Sequence, residues 1–111
     1  MTDLVDVARI RDLNDQLRRS LNGGVLVMTR GIIGLGAKRQ MAILTAIASF
    51  NTFDPENDPY GEHDFGALTV EGTRIFFKID YLDRALTGHS PDPADPTVTA
   101  RVLTVMLAEE Y

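Results

Sequence analysis

The chain of 111 residues contains no cysteine and no apolar run long enough to span a bilayer. The absence of cysteine excludes disulfides, thiolate nucleophiles and zinc sites with sulfur ligands. It is typical of proteins from a reducing compartment, so we expect a cytoplasmic location. Because a membrane-spanning helix needs roughly 20 apolar residues, we expect no membrane partner.

Basic residues are also scarce relative to acidic ones. The chain has 11 lysines and arginines against 16 aspartates and glutamates, which gives a formal net charge of −5. Such a balance repels phosphate backbones, so we do not expect direct binding to nucleic acid. It suits a basic partner, for example a nucleic-acid-binding protein. The length and the 44% hydrophobic content predict one globular domain, residues 1–111.

The first half of the chain predicts two helices and one strand. Apolar residues recur at steps of three and four from Asp3 to Leu21, which indicates a helix with one buried stripe. The apolar, β-branched run Val25–Thr29 predicts a strand. Gly31–Gly36 predicts a flexible connection, and Ala37–Phe50 predicts the second helix.

The segment from Gly31 to Lys38 has glycines between a predicted strand and a predicted helix, a context that suggests a phosphate-binding loop. In such loops the lysine directly follows a glycine and precedes a serine or threonine. Neither condition holds for Lys38, so we favour a plain tight connection, for which glycine is suited.

A β-hairpin is predicted in the second half. Two alternating segments, Phe65–Val70 and Thr73–Tyr81, flank Glu71-Gly72, a two-residue turn that favours positive φ. The turn sets a register in which Leu68 faces Ile75. One face of the hairpin is then apolar, and the opposite face is polar with two phenylalanines.

The last predicted element is a helix that begins at Pro96, with Asp95 as its cap. The order α-β-α-β-β-α favours an α+β fold. We therefore predict a small antiparallel sheet of about three strands, with three helices packed on one face.

The same register places His63 opposite Asp80 on the polar face. A histidine held by a carboxylate is the arrangement of a general base or a metal ligand, and further carboxylates nearby suit a hard divalent ion. The other interpretation is a structural pair that fixes the hairpin to its loop, which is common for such pairs. The candidate polar site comprises Glu62, His63, Asp64, Lys78 and Asp80. Whether it binds a metal is left open.

Four segments together resemble a small bacterial domain-of-unknown-function family that is typical of proteobacterial plasmids and integrated mobile elements. They are Asn57–Gly66, Lys78–Tyr81, Ser90–Pro96 and Arg101–Tyr111. The resemblance extends over nearly the whole chain, from Arg9 onward. It implies no catalytic residue and no cofactor, and it suggests accessory roles that include evasion of host defence.

The sequence therefore leads to two main hypotheses about function. The first is a non-enzymatic accessory interaction protein of a mobile element, an inhibitor of a host defence complex that acts through an acidic surface made by Asp54, Glu56 and Asp58. The alternative is a small-molecule or divalent-metal binding domain around His63 and Asp80, with hydrolytic activity. Self-association through the polar sheet face, where aromatic rings lie among charges, is a third possibility.

Overall fold

The computed structural model describes the backbone of residues 4–111 and the side chains from Asp6 onward. The α+β class predicted from the sequence is confirmed, and the predicted first residue of the first helix, Asp3, lies outside the described residues. The elements in chain order are α1 (Leu4–Ser20), β1 (Val25–Met28), α2 (Arg30–Ile33), α3 (Ala37–Ser49), β2 (Phe65–Val70), β3 (Thr73–Leu82), β4 (Ala100–Leu107) and a short 3₁₀ helix (Ala108–Glu110).

The strands form one mixed sheet of four strands in the order β1-β4-β3-β2. Strand β1 is parallel to β4, whereas β3 is antiparallel to both β4 and β2. The prediction of about three antiparallel strands is therefore wrong in its details. It missed β4 and the parallel pair.

The hairpin register is confirmed. Leu68 is paired with Ile75, and Gly66 with Phe77. The turn residues Glu71 and Gly72 have φ values of 48° and 81°, which is the backbone that a two-residue hairpin turn requires. The predicted core face of the hairpin is therefore placed correctly.

The predicted final helix is wrong, because Ala100–Leu107 forms β4. Asp95 does not cap a helix; its carboxylate accepts hydrogen bonds from the backbone N–H and the hydroxyl of Thr97 in a local turn. Strand β4 lies between β1 and β3, so apolar residues occur on both of its faces. Such a run has no clear period of two and is easily mistaken for a helical stripe.

One face of the sheet packs against the helices and forms the core. Ile10 and Leu17 of α1 and Ile43 and Ile47 of α3 lie there, each at most 2% exposed. Ile32 of α2 joins the same cluster, so the glycine-rich connection contains a short helix as well as a turn. The sheet residues of this core are Val70, Ile75, Phe77, Ile79, Tyr81, Leu103 and Val105.

We call the other side of the sheet the open face. The pleat of the strands places alternate residues there. The side chains of the open face belong to Val25, Val27, Phe65, Ala67, Thr69, Arg74, Phe76, Lys78, Asp80, Leu82, Ala100, Val102, Thr104 and Met106. No helix in the described part of the chain combines the length and the apolar composition needed to cross a membrane.

Candidate functional site

Polar side chains along α1 hold the two long loops, residues 51–64 and 83–99. Arg18 donates hydrogen bonds to the carbonyls of Ile47 and Phe50 at 2.8 and 2.6 Å. Arg9 donates to the carbonyl of Ala94 at 2.8 Å. Arg18 therefore anchors the C-terminal end of α3, where the loop 51–64 begins, and Arg9 anchors the loop 83–99.

His63 belongs to this anchoring system. Its Nδ1 lies 2.9 Å from Oδ1 of Asp15, and its ring is stacked on Phe53 with 3.9 Å between the centroids. Burial alone raises the pKa of Asp15, but hydrogen bonds from Arg18 and His63 outweigh it and hold the pKa below its usual value. The pair thus fixes the end of the loop 51–64, which we call the acidic loop, to α1.

The predicted contact between His63 and Asp80 is wrong. His63 has a φ of 58°, in the left-handed region, so the extended alternation of β2 does not continue back to it. Its ring turns toward Phe53, which packs against the core residue Phe77. Asp80 lies on the open face, where its carboxylate is 3.0 Å from Nζ of Lys78. The structure therefore separates the candidate polar site into two parts.

Glu62 joins a buried network that the sequence did not reveal. Arg101 is 2% exposed, and its Nε donates to Oδ1 of Asn14 at 2.9 Å. The Asn14 amide donates to the hydroxyl of Tyr81 at 2.7 Å, and that hydroxyl donates to Oε1 of Glu62 at 2.8 Å. The guanidinium of Arg101 also donates to the carbonyl of Pro93. The network links α1, β3, β4 and both long loops.

Two features of the sequence hid this network. Arg101 interrupts the apolar run of β4, and Asn14 interrupts the stripe of α1, so each residue reads as a surface position. The sequence offers one signal for the network: each of these polar residues stands where the periodic pattern predicts an apolar core residue.

Asp64 has the most perturbed carboxyl near these groups. Burial and then the negative charge of Glu62 raise its pKa to about 6. It lines a shallow cavity of about 190 Å³ together with Asp80, Tyr81 and His89. Within residues 4–111, no group of three or more histidine, aspartate or glutamate side chains is arranged to hold a metal ion.

The predicted acidic surface is only partly a surface. Asp58 is 7% exposed, and its Oδ1 accepts the backbone N–H groups of Glu62 and His63. Its carboxylate therefore shapes the loop and is not available to a partner, which corrects the prediction for this residue. Asp54 and Glu56 are exposed, although Asp54 also accepts N–H groups of its own loop.

The open face carries an aromatic cluster of Phe65, Phe76 and Tyr111. The ring centroids lie 5.4 Å apart for Phe65 and Phe76, and 6.0 and 5.6 Å from the ring of Tyr111. Tyr111 is 75% exposed. The two phenylalanines were predicted on this face, whereas the prediction of a final helix concealed the place of Tyr111.

Glu110 holds the segment that carries Tyr111. Its carboxylate accepts hydrogen bonds from the Thr29 hydroxyl at 2.6 Å and from the Gly31 N–H at 2.9 Å. A Cβ on Gly31 would lie 2.5 Å from Cδ1 of Leu107 and 2.7 Å from the same carboxylate, so a larger residue would push these two side chains aside. The chain's own glutamate thus meets the N–H at the glycine-rich segment that resembled a phosphate loop.

Comparison with protein families gives one match. Residues 28–110 match the model of the family described as "Protein of unknown function (DUF3768)". The chain belongs to this family. The matched region includes β2, β3, β4 and both long loops but only the last residue of β1, Met28, whereas α1 with its anchoring side chains precedes it. Comparisons with curated proteins and with solved structures find no match.

Proposed function

We propose that this protein is a non-enzymatic interaction protein that binds a basic protein partner through the open face of its sheet. The observation that carries the proposal is the aromatic cluster of Phe65, Phe76 and Tyr111 on the surface. Protein interfaces typically combine such aromatic residues at their centre with a charged rim. Here Arg74, Lys78 and Asp80 lie on the same face around the cluster.

The remaining apolar surface of the open face supports the same proposal. Val25 and Val27 of the edge strand β1 are 55% and 42% exposed. On the neighbouring strand β4, Val102 is paired with Val25, and Met106 is paired with Phe76 of the aromatic cluster. Burial of apolar area of this kind is the main driving force of association.

The polar groups elsewhere have structural partners, which supports a binding role over a catalytic one. His63 is paired with Asp15, and Tyr81 is hydrogen-bonded to both Asn14 and Glu62. Such groups fix the two long loops and thereby the shape of the domain. Their replacement is expected to change stability first.

The chemistry of the partner follows from charge. The net charge of −5 attracts a basic protein and raises the rate of encounter at low salt. Asp54 and Glu56 on the acidic loop add exposed negative charge. A basic nucleic-acid-binding protein with an apolar patch is the partner that fits both features.

We extend the proposal to an accessory role on a mobile genetic element, in which the partner is a host defence complex and binding inhibits it. Support for this part comes from the resemblance of the four sequence segments and from the acidic charge. In such a role the exposed carboxylates of Asp54 and Glu56 occupy a channel that the partner uses for nucleic acid, in addition to the contact made by the open face.

The test compares open-face variants with a matched surface control. Tyr111→Ala and Val27→Lys change the open face, whereas Tyr60→Ala changes an equally exposed tyrosine, 74% exposed, on the acidic loop. Each protein is used as bait in a proteobacterial lysate, and captured proteins are identified by mass spectrometry. We expect one set of basic proteins with the native chain and with Tyr60→Ala, lost with the two open-face variants and at high salt. If the open-face variants capture the same proteins as the native chain, the proposal is contradicted.

A second function, a small-molecule site that supports hydrolysis, is favoured by the cavity at Asp64. A carboxyl with a pKa of about 6 is suited to donate or accept a proton near neutral pH. Calorimetric titration with Mg²⁺, Mn²⁺, Ca²⁺ and common nucleotides tests it, with Asp64→Asn as the variant that should lose binding. Absence of heat in every titration contradicts this function.

A further inference from the structure

Strand β2 leaves one whole edge of the sheet without a hydrogen-bonding partner. The backbone N–H of Ile79 donates to the carbonyl of Asp64 at 2.8 Å, so Asp64, Gly66, Leu68 and Val70 direct their backbone groups toward β3. The backbone groups of Phe65, Ala67 and Thr69 therefore point away from the sheet. Among residues 4–111 no hydrogen bond to these outward groups is made.

This edge lacks the features that normally keep sheet edges apart. Natural edge strands are protected by charged side chains, prolines, bulges or very short length. The six residues of β2 contain no charge and no proline, and their pairing with β3 has no bulge. The opposite edge strand, β1, has only four residues. Strand β2 is thus the better template for strand addition.

We propose that β2 pairs with β2 of a second copy of this chain, antiparallel across a twofold axis at Ala67, to form a continuous sheet of two copies. A symmetric antiparallel pair satisfies the outward N–H and C=O groups of both copies reciprocally, with on the order of six new backbone hydrogen bonds. No other strand needs to move.

The side chains fit this register. Ala67 meets Ala67 of the second copy at the axis, where a small side chain is needed. Phe65 lies opposite Thr69 on the open face, an aromatic and β-branched pair that stabilises antiparallel strands. On the core side Gly66 lies opposite Leu68, so a large side chain meets a position without one.

The charges at the two ends of β2 are also complementary to each other. Asp64 precedes the strand, and Glu62 lies close enough to raise its pKa. At the other end Arg74 contacts Thr69, and Arg39 contacts Thr73. An antiparallel pair brings the acidic end of one copy beside the end of its partner that carries the two arginines. The negative charge of Glu71 in the turn offsets one of the two arginine charges. Sign complementarity of this kind favours a second copy over an unrelated strand.

The inference does not rest on the proposed function. Pairing at the β2 edge leaves the open faces of both copies side by side and free to bind a partner. Loss of dimerisation and loss of partner capture are therefore separate observations, made on different variants.

The test uses opposite charges at the twofold axis. Ala67→Lys and Ala67→Glu each place like charges directly opposite in a homodimer, whereas an equimolar mixture places opposite charges there. Val27→Lys makes the same type of change on the other edge strand and serves as the control. Sedimentation equilibrium over a wide concentration range gives the mass of each sample, and circular dichroism verifies folding.

We expect dimers for the native chain and for Val27→Lys, monomers for each Ala67 variant alone, and dimers again for the mixture. A native chain that stays monomeric at every concentration overturns the proposal, as does dimerisation of Ala67→Lys alone at native strength. A mixture that remains monomeric overturns the register centred on Ala67.

Discussion

The carboxylate of Asp15 lies 2.9 Å from Nδ1 of His63 and joins α1 to the end of the acidic loop. The same oxygen accepts a hydrogen bond from Arg18 at 2.8 Å. One carboxylate on the first helix thereby organises a histidine and an arginine that are far from each other in sequence. The contact holds the end of the acidic loop against α1, while hydrogen bonds to Asp54 and Asp58 shape the loop itself.

Replacement of Asp15 by Asn is expected to lower the free energy of unfolding by about 1–3 kcal/mol, because the buried Arg18 and the partly buried His63 lose a charged acceptor. Urea denaturation measures the loss. Asp12→Asn, an exposed change on the same helix, is the control and is expected to alter stability by about 0.5 kcal/mol or less.

The contribution of His63 is isolated by adding His63→Asn to complete a double-mutant cycle. The two changes should be coupled by at least about 0.5 kcal/mol, since the side chains are in direct contact. A coupling energy of zero contradicts a role of this pair in holding the loop.

Removal of the Tyr81 hydroxyl should destabilise the domain. In Tyr81→Phe the amide of Asn14 loses an acceptor and Glu62 loses a donor, while the ring keeps its packing. The expected loss is about 1–2 kcal/mol in the free energy of unfolding. Tyr60→Phe changes a tyrosine that is 74% exposed and should have almost no effect. Equal effects of the two changes would show that the buried network contributes no stability.

Asp64 makes stability depend on pH in a defined direction. Its pKa is raised to about 6 in the folded protein, so the folded state binds this proton more tightly than the unfolded chain. The resulting stabilisation is fully present below about pH 4 and is lost as the pH rises through 6. The shift corresponds to roughly 3 kcal/mol, which solvent around the partly exposed side chain reduces to about 1–2 kcal/mol.

Asp64→Asn should therefore be more stable than the native chain at pH 7, with the difference appearing between pH 4 and pH 7. Thermal unfolding across this range measures it. Asp83→Asn is the control of opposite sign, because hydrogen bonds from Thr87 lower the pKa of Asp83. The native chain is expected to be more stable than Asp83→Asn near neutral pH, and this difference in stability should be lost as the pH falls. A pH-independent difference for Asp64→Asn contradicts the assignment.

Gly66 is expected to tolerate no side chain. A Cβ at this position would collide with the ring of Phe77 and lie 2.8 Å from the ring of Phe50. Gly66→Ala should lower the free energy of unfolding by about 1–3 kcal/mol through overpacking. Gly34→Ala places its Cβ at an ordinary 3.4 Å from the nearest atom and should be close to neutral. Guanidinium denaturation of both variants tests the contrast.

The sequence by itself determined the elements whose signal is local. The stripe of α1, the β-branched run of β1 and the Glu71-Gly72 turn each follow from periodicity or backbone preference within a few residues. The turn alone set the hairpin register, which in turn placed Phe65 and Phe76 on one face.

Only the tertiary structure decided that β4 is a strand and which partners the polar side chains have. Strand β4 is apolar on both faces because it lies between β1 and β3, and a local pattern cannot reveal neighbours that are distant in sequence. His63 leaves the strand alternation at a left-handed residue, so the hairpin register does not extend to it. Its partner, Asp15, and the contact between Asn14 and Arg101 arise from packing of α1 against the sheet, since burial and pairing depend on the whole fold.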